Sequence, residues 1–377
     1  MTGMKKPAFF LWREKDDIIQ GSEEMNLKEI LTVMIEKNAS DLHLVVGNQP
    51  CFVINGKLSY YDDRLLTRND LKAFLDEVID DDERKQKFLT QKELDFAYEL
   101  EGKARFRVNA YFQRNSIAFA VRMVPLNIRN LEALHLPEEL KEFTTKRSGL
   151  VLVIGPAKTG KSTTVAAMVN RINETLPLHI VTIEDPIEYV YKPKKSVISQ
   201  REVKEDTHSF AAALRHIVRQ SPGVIVVDGV KDKDSVKMIL EAAETGHLVF
   251  CTLQTWNAIQ SVNKLLDFFS DSEKKQVRIQ ISHTLKAIIS QRLLRRKDGN
   301  GFACACEVLK VNQTIRNLIR EDEQGQMLSV MEDLRREGMI TLSDRFLALY
   351  KQGIVDLAEI EEFLPDKKGN LDTFLLQ

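Results

Sequence analysis

Eight consecutive residues, Gly155-Pro156-Ala157-Lys158-Thr159-Gly160-Lys161-Ser162, satisfy the spacing G-x-x-x-x-G-K-[ST] at every fixed position. The chemistry such a stretch performs is phosphate binding. Gly155 and Gly160 let the backbone curl so that successive N–H groups face inward onto phosphate oxygens. The helix that follows the loop adds the partial positive charge of its N-terminus. Lys161 has the reach to touch β- and γ-phosphates, and the Ser162 hydroxyl suits the shell of a Mg²⁺ ion. Pro156, Lys158, Thr159 and Thr163 complete the expected nucleotide-binding set.

Three further stretches end in side chains of the same kind of use. The stretch 178–183, which reads as a second buried strand, ends at Glu184-Asp185-Pro186-Ile187-Glu188. Val224-Ile225-Val226-Val227 ends at Asp228, the pattern of a strand whose terminal carboxylate holds a Mg²⁺ shell. Residues 248–255 read as a further strand, with Gln254 at its end on the same edge of the sheet. Carboxylates and amides at the C-terminal ends of parallel strands lie where open α/β sheets bind ligands.

The elements that must position these residues follow from periodicity. Residues 150–154 read as a buried parallel strand before the loop, and 163–172 carry apolar residues at helical spacing after it. With 178–183, 224–227 and 248–255 they make four strands separated by helices, a RecA-like core. At 377 residues the chain is long for one domain. Residues 1–24 read as an extension and 25–125 as a small α+β domain. Residues 126–147 read as a linker with a helix at 138–144, 148–363 as the nucleotide domain with a helical C-terminal part, and 364–377 as a tail. Within 25–125, a helix at 25–37, a hairpin across Asn55-Gly56, a helix capped by Thr67 and three alternating stretches at 94–100, 104–111 and 117–123 are expected. A helical pattern is expected over 270–291, and mostly helix over 313–363.

Composition excludes several classes. The formal net charge is -1, so no global field draws the chain to nucleic acid or to an anionic membrane. No stretch of eighteen apolar residues predicts a transmembrane helix, and the run Pro7-Ala8-Phe9-Phe10-Leu11-Trp12 is too short for a signal-peptide core. A reducing, cytoplasmic setting fits four cysteines without a C-x-x-C pair, and Cys304-Ala305-Cys306 reads as alternation on a strand. The basic run Arg292, Arg295, Arg296 and Lys297 reads as a solvated helix end. By spacing alone, Arg105, Arg107, Arg114 and Arg122 read as a solvated sheet face.

Taken together the motifs resemble the PilT/PilU group of type IV pilus retraction ATPases within the secretion-ATPase superfamily. The resemblance spans about residues 25–363. It rests on Ala39-Ser40-Asp41-Leu42-His43-Leu44, Arg105-Phe106-Arg107-Val108-Asn109 and the Asp box Ile183-Glu184-Asp185-Pro186-Ile187-Glu188. It rests also on Ser199-Gln200-Arg201-Glu202-Val203, on Ala243-Glu244-Thr245-Gly246-His247-Leu248 at the start of the His box, and on Thr314-Ile315-Arg316-Asn317-Leu318-Ile319-Arg320-Glu321. Tyr111-Phe112-Gln113-Arg114-Asn115 and Gly338-Met339 look closer to the PilU branch.

The resemblance implies an α/β architecture: a PAS-like α+β domain, then a RecA-like P-loop NTPase domain, in a ring of six. It implies ATP and Mg²⁺ as ligands and Glu184 as general base. Arg105, Arg107, Arg122, His247 and Gln254 become phosphate sensors. It implies a cytoplasmic motor peripheral to the inner membrane, served by a membrane platform protein, in a ring of its own or with a paralogous retraction ATPase. Two departures stand out. Gly229 occupies the family's Walker B glutamate position, with Asp228 one residue early, and alternation turns a side chain shifted by one residue to the opposite face. Gln254 replaces the second His-box histidine and cannot carry a proton. Two functions fit these features: an ATP-hydrolysing retraction motor, or a nucleotide-binding accessory ring that assists one. A nucleic-acid motor shares the core but not these motifs.

Overall fold

The computed structural model describes residues 25–363, apart from 55, 101, 102, 125, 126, 300 and 362. The expected 1–24 extension, the whole 364–377 tail, and Asn55 of the hairpin turn lie outside the described residues. The chain divides into two units between Met123 and Val124.

The first unit opens with α1 (Leu27–Glu36), capped by the Asn26 side chain and burying Leu27, Ile30, Leu31 and Met34 on one stripe. It continues through β1 (Asp41–Val45), β2 (Cys51–Ile54), β3 (Lys57–Tyr60), α2 (Arg68–Val78), α3 (Asp82–Gln91), β4 (Glu93–Leu100), β5 (Ala104–Gln113) and β6 (Ser116–Val124). Thr67 and Asp70 close a reciprocal capping box at the start of α2. The strands lie in the order β3-β2-β1-β6-β5-β4. Arg114 and Asn115, between β5 and β6, both have positive φ (46° and 58°), the turn geometry that matches strand twist. On β5, Phe106, Val108 and Ala110 are buried, while Arg105, Arg107 and Asn109 point the other way.

The second unit begins with α4 (Leu140–Phe143), β7 (Gly149–Ile154), α5 (Lys161–Thr175), β8 (His179–Glu184), β9 (Val197–Glu202), α6 (Phe210–Ile217), β10 (Val224–Val227), α7 (Lys233–Glu244) and β11 (Leu248–Leu253). Then come α8 (Ala258–Leu266), α9 (Asp271–Thr284), β12 (Leu285–Arg295), β13 (Phe302–Lys310), α10 (Gln313–Arg320), α11 (Met327–Asp333), α12 (Leu342–Lys351) and α13 (Leu357–Glu361). Among the described residues these strands form one seven-stranded sheet, ordered β13-β12-β7-β11-β10-β8-β9. It is parallel from β12 to β9, with β13 antiparallel at one edge. Helices cover both faces, which is why β7, β10 and β11 are buried at every position and carry a single polar side chain, Thr252. Alternation sorts their side chains. Val151, Val153, Val224, Val226 and Phe250 share a core with Val165, Met168, Val169 and Ile172 of α5. Leu152, Ile225, Val227, Val249 and Cys251 share the other with α6 and α7. The fold is a RecA-like P-loop domain preceded in the chain by a small PAS-like α+β domain.

Three expectations change. The helix over 270–291 stops at Thr284, and residues 285–295 form β12 between β7 and β13. Its β-branched Ile288-Ile289 step, buried on both faces, carries no helical period. Arg292 and Arg295 therefore belong to a strand rather than a helix end, and Arg292 is buried. The expected four-strand core also gains β9, β12 and β13. Leu131, Leu136, Leu140 and Phe143, within the stretch read as a linker, pack into the α5-side core.

Phe250 lies fully buried on β11, opposite Val226 and Val151 on its two neighbouring strands. Phe250→Ala opens a cavity there and is expected to cost about 3–5 kcal/mol. Urea unfolding checks this; a midpoint equal to wild type contradicts it.

Candidate functional site

The C-terminal ends of the parallel strands open onto a cleft of about 890 Å³. The loop between β7 and α5 forms its floor, turning through positive φ at Lys158 (63°) and Gly160 (83°). Thr159 Oγ1 donates to the Pro156 carbonyl at 2.9 Å and holds the curl closed. The Lys161 ammonium folds over the loop, donating to the carbonyls of Gly155 at 3.0 Å and Pro156 at 2.7 Å. Burial pulls its pKa below the ordinary lysine value, and the carboxylates of Asp228 and Glu188 pull it back up. Ser162 and Thr163 line the cleft from the first turn of α5, and Thr163 bonds the Tyr189 hydroxyl at 2.8 Å.

Three carboxylates face the cleft: Asp185, Glu188 and Asp228. Asp228 comes directly after β10, and its N–H carries the ladder one step further to the Ile183 carbonyl at 3.0 Å. Alternation therefore puts its side chain on the face of Val224 and Val226, where α5 packs. Thr252, on the same face of β11, donates to Asp228 Oδ1 at 2.6 Å and fixes its rotamer. Gly229 has left the strand with φ 97°, so any side chain there would be strained even though nothing crowds it. Gln254 lines the same cleft at the end of β11, as expected. Lys231 crosses the mouth to pair with Asp185.

Glu184 does not reach the cleft. It is 7% exposed and turns into the core. Thr182 Oγ1 donates to it at 2.5 Å, Gln200 Nε2 at 3.2 Å and the Glu188 N–H at 3.3 Å. Burial raises its pKa to about 7, against the hydrogen bonds that favour the carboxylate. Gln200 also bonds the Tyr189 carbonyl and the Tyr191 N–H, and Glu202 accepts from the Ile187 N–H. So β9 braces the whole 184–191 segment. That role is not readable from sequence, although Gln200 lies within the Ser199–Val203 motif.

The remaining expected residues lie elsewhere. His247 sits just before β11, at the opposite end of the strand from Gln254. Its Nδ1 meets the Ala242 carbonyl at 3.0 Å, and its own carbonyl accepts from Gly149 at the start of β7. Arg105, Arg107 and Arg122 belong to the first unit, where Arg122 pairs with Asp41 at 2.7 Å. Arg292, read as solvated, instead donates to the Trp256 carbonyl at 2.6 Å and stacks on its indole. Its burial is not legible in the sequence, because a helix end offers it no partner.

Glu184 sets a pH dependence. Its folded pKa, about 7, stands above the ordinary 4.5, so the stability it contributes is complete below about 4.5 and is lost as pH rises through about 7. Relative to Glu184→Gln, the wild type is expected to lose about 2–3 kcal/mol between about pH 5 and about pH 8 in urea unfolding. A difference that stays constant with pH contradicts the buried position.

The pattern of the type II/IV secretion system protein family matches residues 20–362. The type IV pilus retraction ATPase PilT of Pseudomonas aeruginosa is 38% identical over 340 residues, 90% of this chain and 98% of that protein. The type IV pilus ATPase PilU of the same organism is 36% identical over 329 residues, 87% of this chain and 86% of that protein. These two values are too close to put the chain on either branch. A crystal structure of the pilus retraction motor PilT with bound ADP superposes with a TM-score of 0.85 and 42% identity, covering 93% of this chain and all of that one. The chain belongs to the type II/IV secretion system protein family.

Proposed function

We propose that the chain is an ATP-driven subunit of a type IV pilus retraction ring, hydrolysing ATP to power pilus disassembly. The observation that carries the proposal is the placement of the Asp228 carboxylate in the same cleft as Lys161 and Ser162. The loop amides and Lys161 bind the phosphates. Among the described residues no three His, Cys, Asp or Glu side chains are placed to hold a metal alone. Ser162 and Asp228 supply two hard oxygens, which suits Mg²⁺ bound mainly through nucleotide phosphates. A Mg²⁺ ion held by Ser162 and Asp228 would supply charge neutralisation on the nucleotide phosphates. Glu188 faces the cleft and takes the proton from the attacking water. Glu184, expected in that role, instead holds the Glu188 N–H from behind. Gln254 donates to phosphate without changing charge. The phosphate-sensing roles of Arg105, Arg107, Arg122 and His247, the ring of six and the inner-membrane platform partner rest on the family resemblance. So does a cytoplasmic position at the pilus base; no described helix is long and apolar enough to cross a membrane.

A second reading, an accessory ring that binds nucleotide for an active paralogue, is favoured by Gly229 and Gln254. The test is cellular. Removing the chain from its piliated host is expected to abolish or weaken retraction. Lys161→Ala, which loses the phosphate-facing charge, is expected to fail in restoring it and to bind ATP poorly when purified. Unchanged retraction without the chain, or full rescue by Lys161→Ala, refutes the motor reading.

A further inference from the structure

At the other end of β7, about 20 Å from the P-loop by strand rise, lies a cavity of about 380 Å³. Four cationic side chains line it, Lys146, Lys286, Lys310 and Arg316, against two carboxylates, Glu142 and Glu337. Glu142 is already committed: Lys146 donates to it at 2.6 Å and Lys310 at 3.0 Å. Among the described residues neither Lys286 nor Arg316 has an acidic partner, and the Arg316 Nε is buried without any hydrogen bond. An unpaired guanidinium N–H out of contact with water is costly.

The backbone is shaped to bring Lys286 there. Leu285 pairs with Leu150 and Ala287 with Val151, so Lys286 is an extra residue in β12 that slips the register by one. Its stem crosses Gly149, which has φ 114° and where a Cβ would stand 2.6 Å from Lys286 Cγ and 2.8 Å from the Thr284 carbonyl. Only glycine leaves that passage open. Burial lowers the Lys286 pKa, and the like charges of Arg316 and Lys146 lower it further. Two unpaired cations held together at the expense of strand regularity are the preparation of an anion site. Arg316 lies in the Thr314–Glu321 motif, which the nucleotide cleft does not use.

We propose that this cavity is a second anion site, separate from the P-loop, that binds a phosphoryl dianion between Lys286 and Arg316. A dianion matches the two unpaired charges, and a guanidinium fork matches phosphate oxygens. A cavity of this size suits a small anion better than an extended acidic chain.

The experiment titrates inorganic phosphate into the full-length protein by calorimetry at constant ionic strength. Saturating Mg-ADP occupies the P-loop throughout. Saturable binding is expected, weakened about tenfold or more by Lys286→Met and by Arg316→Met, and retained in Lys161→Ala. Lys286→Met is also expected to raise the melting temperature without phosphate, because it relieves repulsion, and to abolish the rise that phosphate causes in wild type. Glycerol 3-phosphate in place of phosphate tells a phosphomonoester from the free ion, and either fits. The proposal falls if wild type shows no saturable binding, if both variants bind like wild type, or if a glutamate-rich peptide binds and phosphate does not.

Discussion

Strand register along the C-terminal edge of the parallel sheet decides which side chains meet. Ile154 pairs with Leu253, Cys251 with Val227, and Val227 with Ile183. Each strand therefore ends at nearly the same level, and the segment after each strand is delivered to one cleft. These segments are the phosphate loop after β7, the carboxylate-rich turn after β8, Asp228 after β10 and Gln254 after β11. Two faces of packed apolar residues hold that register, and a slip of one residue would exchange the two faces.

The same alternation explains the unusual end of β10. A carboxylate at position 229 would have to leave the strand through a positive φ, and glycine is what stands there. At position 228 the side chain emerges on the α5 side without strain, and Thr252 holds it. Asp228 thus sets an acidic oxygen in the same cleft as Lys161, arriving from the α5 face of the sheet. The buried Glu184, braced by Thr182 and Gln200, serves the neighbouring turn by fixing the backbone that presents Glu188.

How much of this is legible in the sequence varies with the range of the interactions. The phosphate loop, its flanking strand and helix, and the four strand-end positions are readable, because each is set by local spacing and an all-apolar strand is a strong signal. The direction of Glu184 is not. Carboxylates at 184, 185 and 188 are equivalent in sequence, and only the pairing of β8 with β9 separates the buried one from those that face the cleft. β12 is hidden because helix α9 runs into it with no Gly or Pro between, and an apolar segment buried on both faces has no period to read. Arg292 and the cluster of Lys146, Lys286, Lys310 and Arg316 are illegible for a further reason. Each depends on residues far apart in the chain that only the sheet brings together.

The central claim is that Asp228 supplies the carboxylate that completes a working site with Lys161 and Ser162. Steady-state ATP turnover by the purified full-length chain with Mg²⁺, for wild type and Asp228→Asn, tests it most directly. The account predicts measurable turnover in wild type and a loss of about 10²–10³-fold in Asp228→Asn with nucleotide binding retained. Background turnover in wild type, or equal turnover in the two proteins, would contradict it.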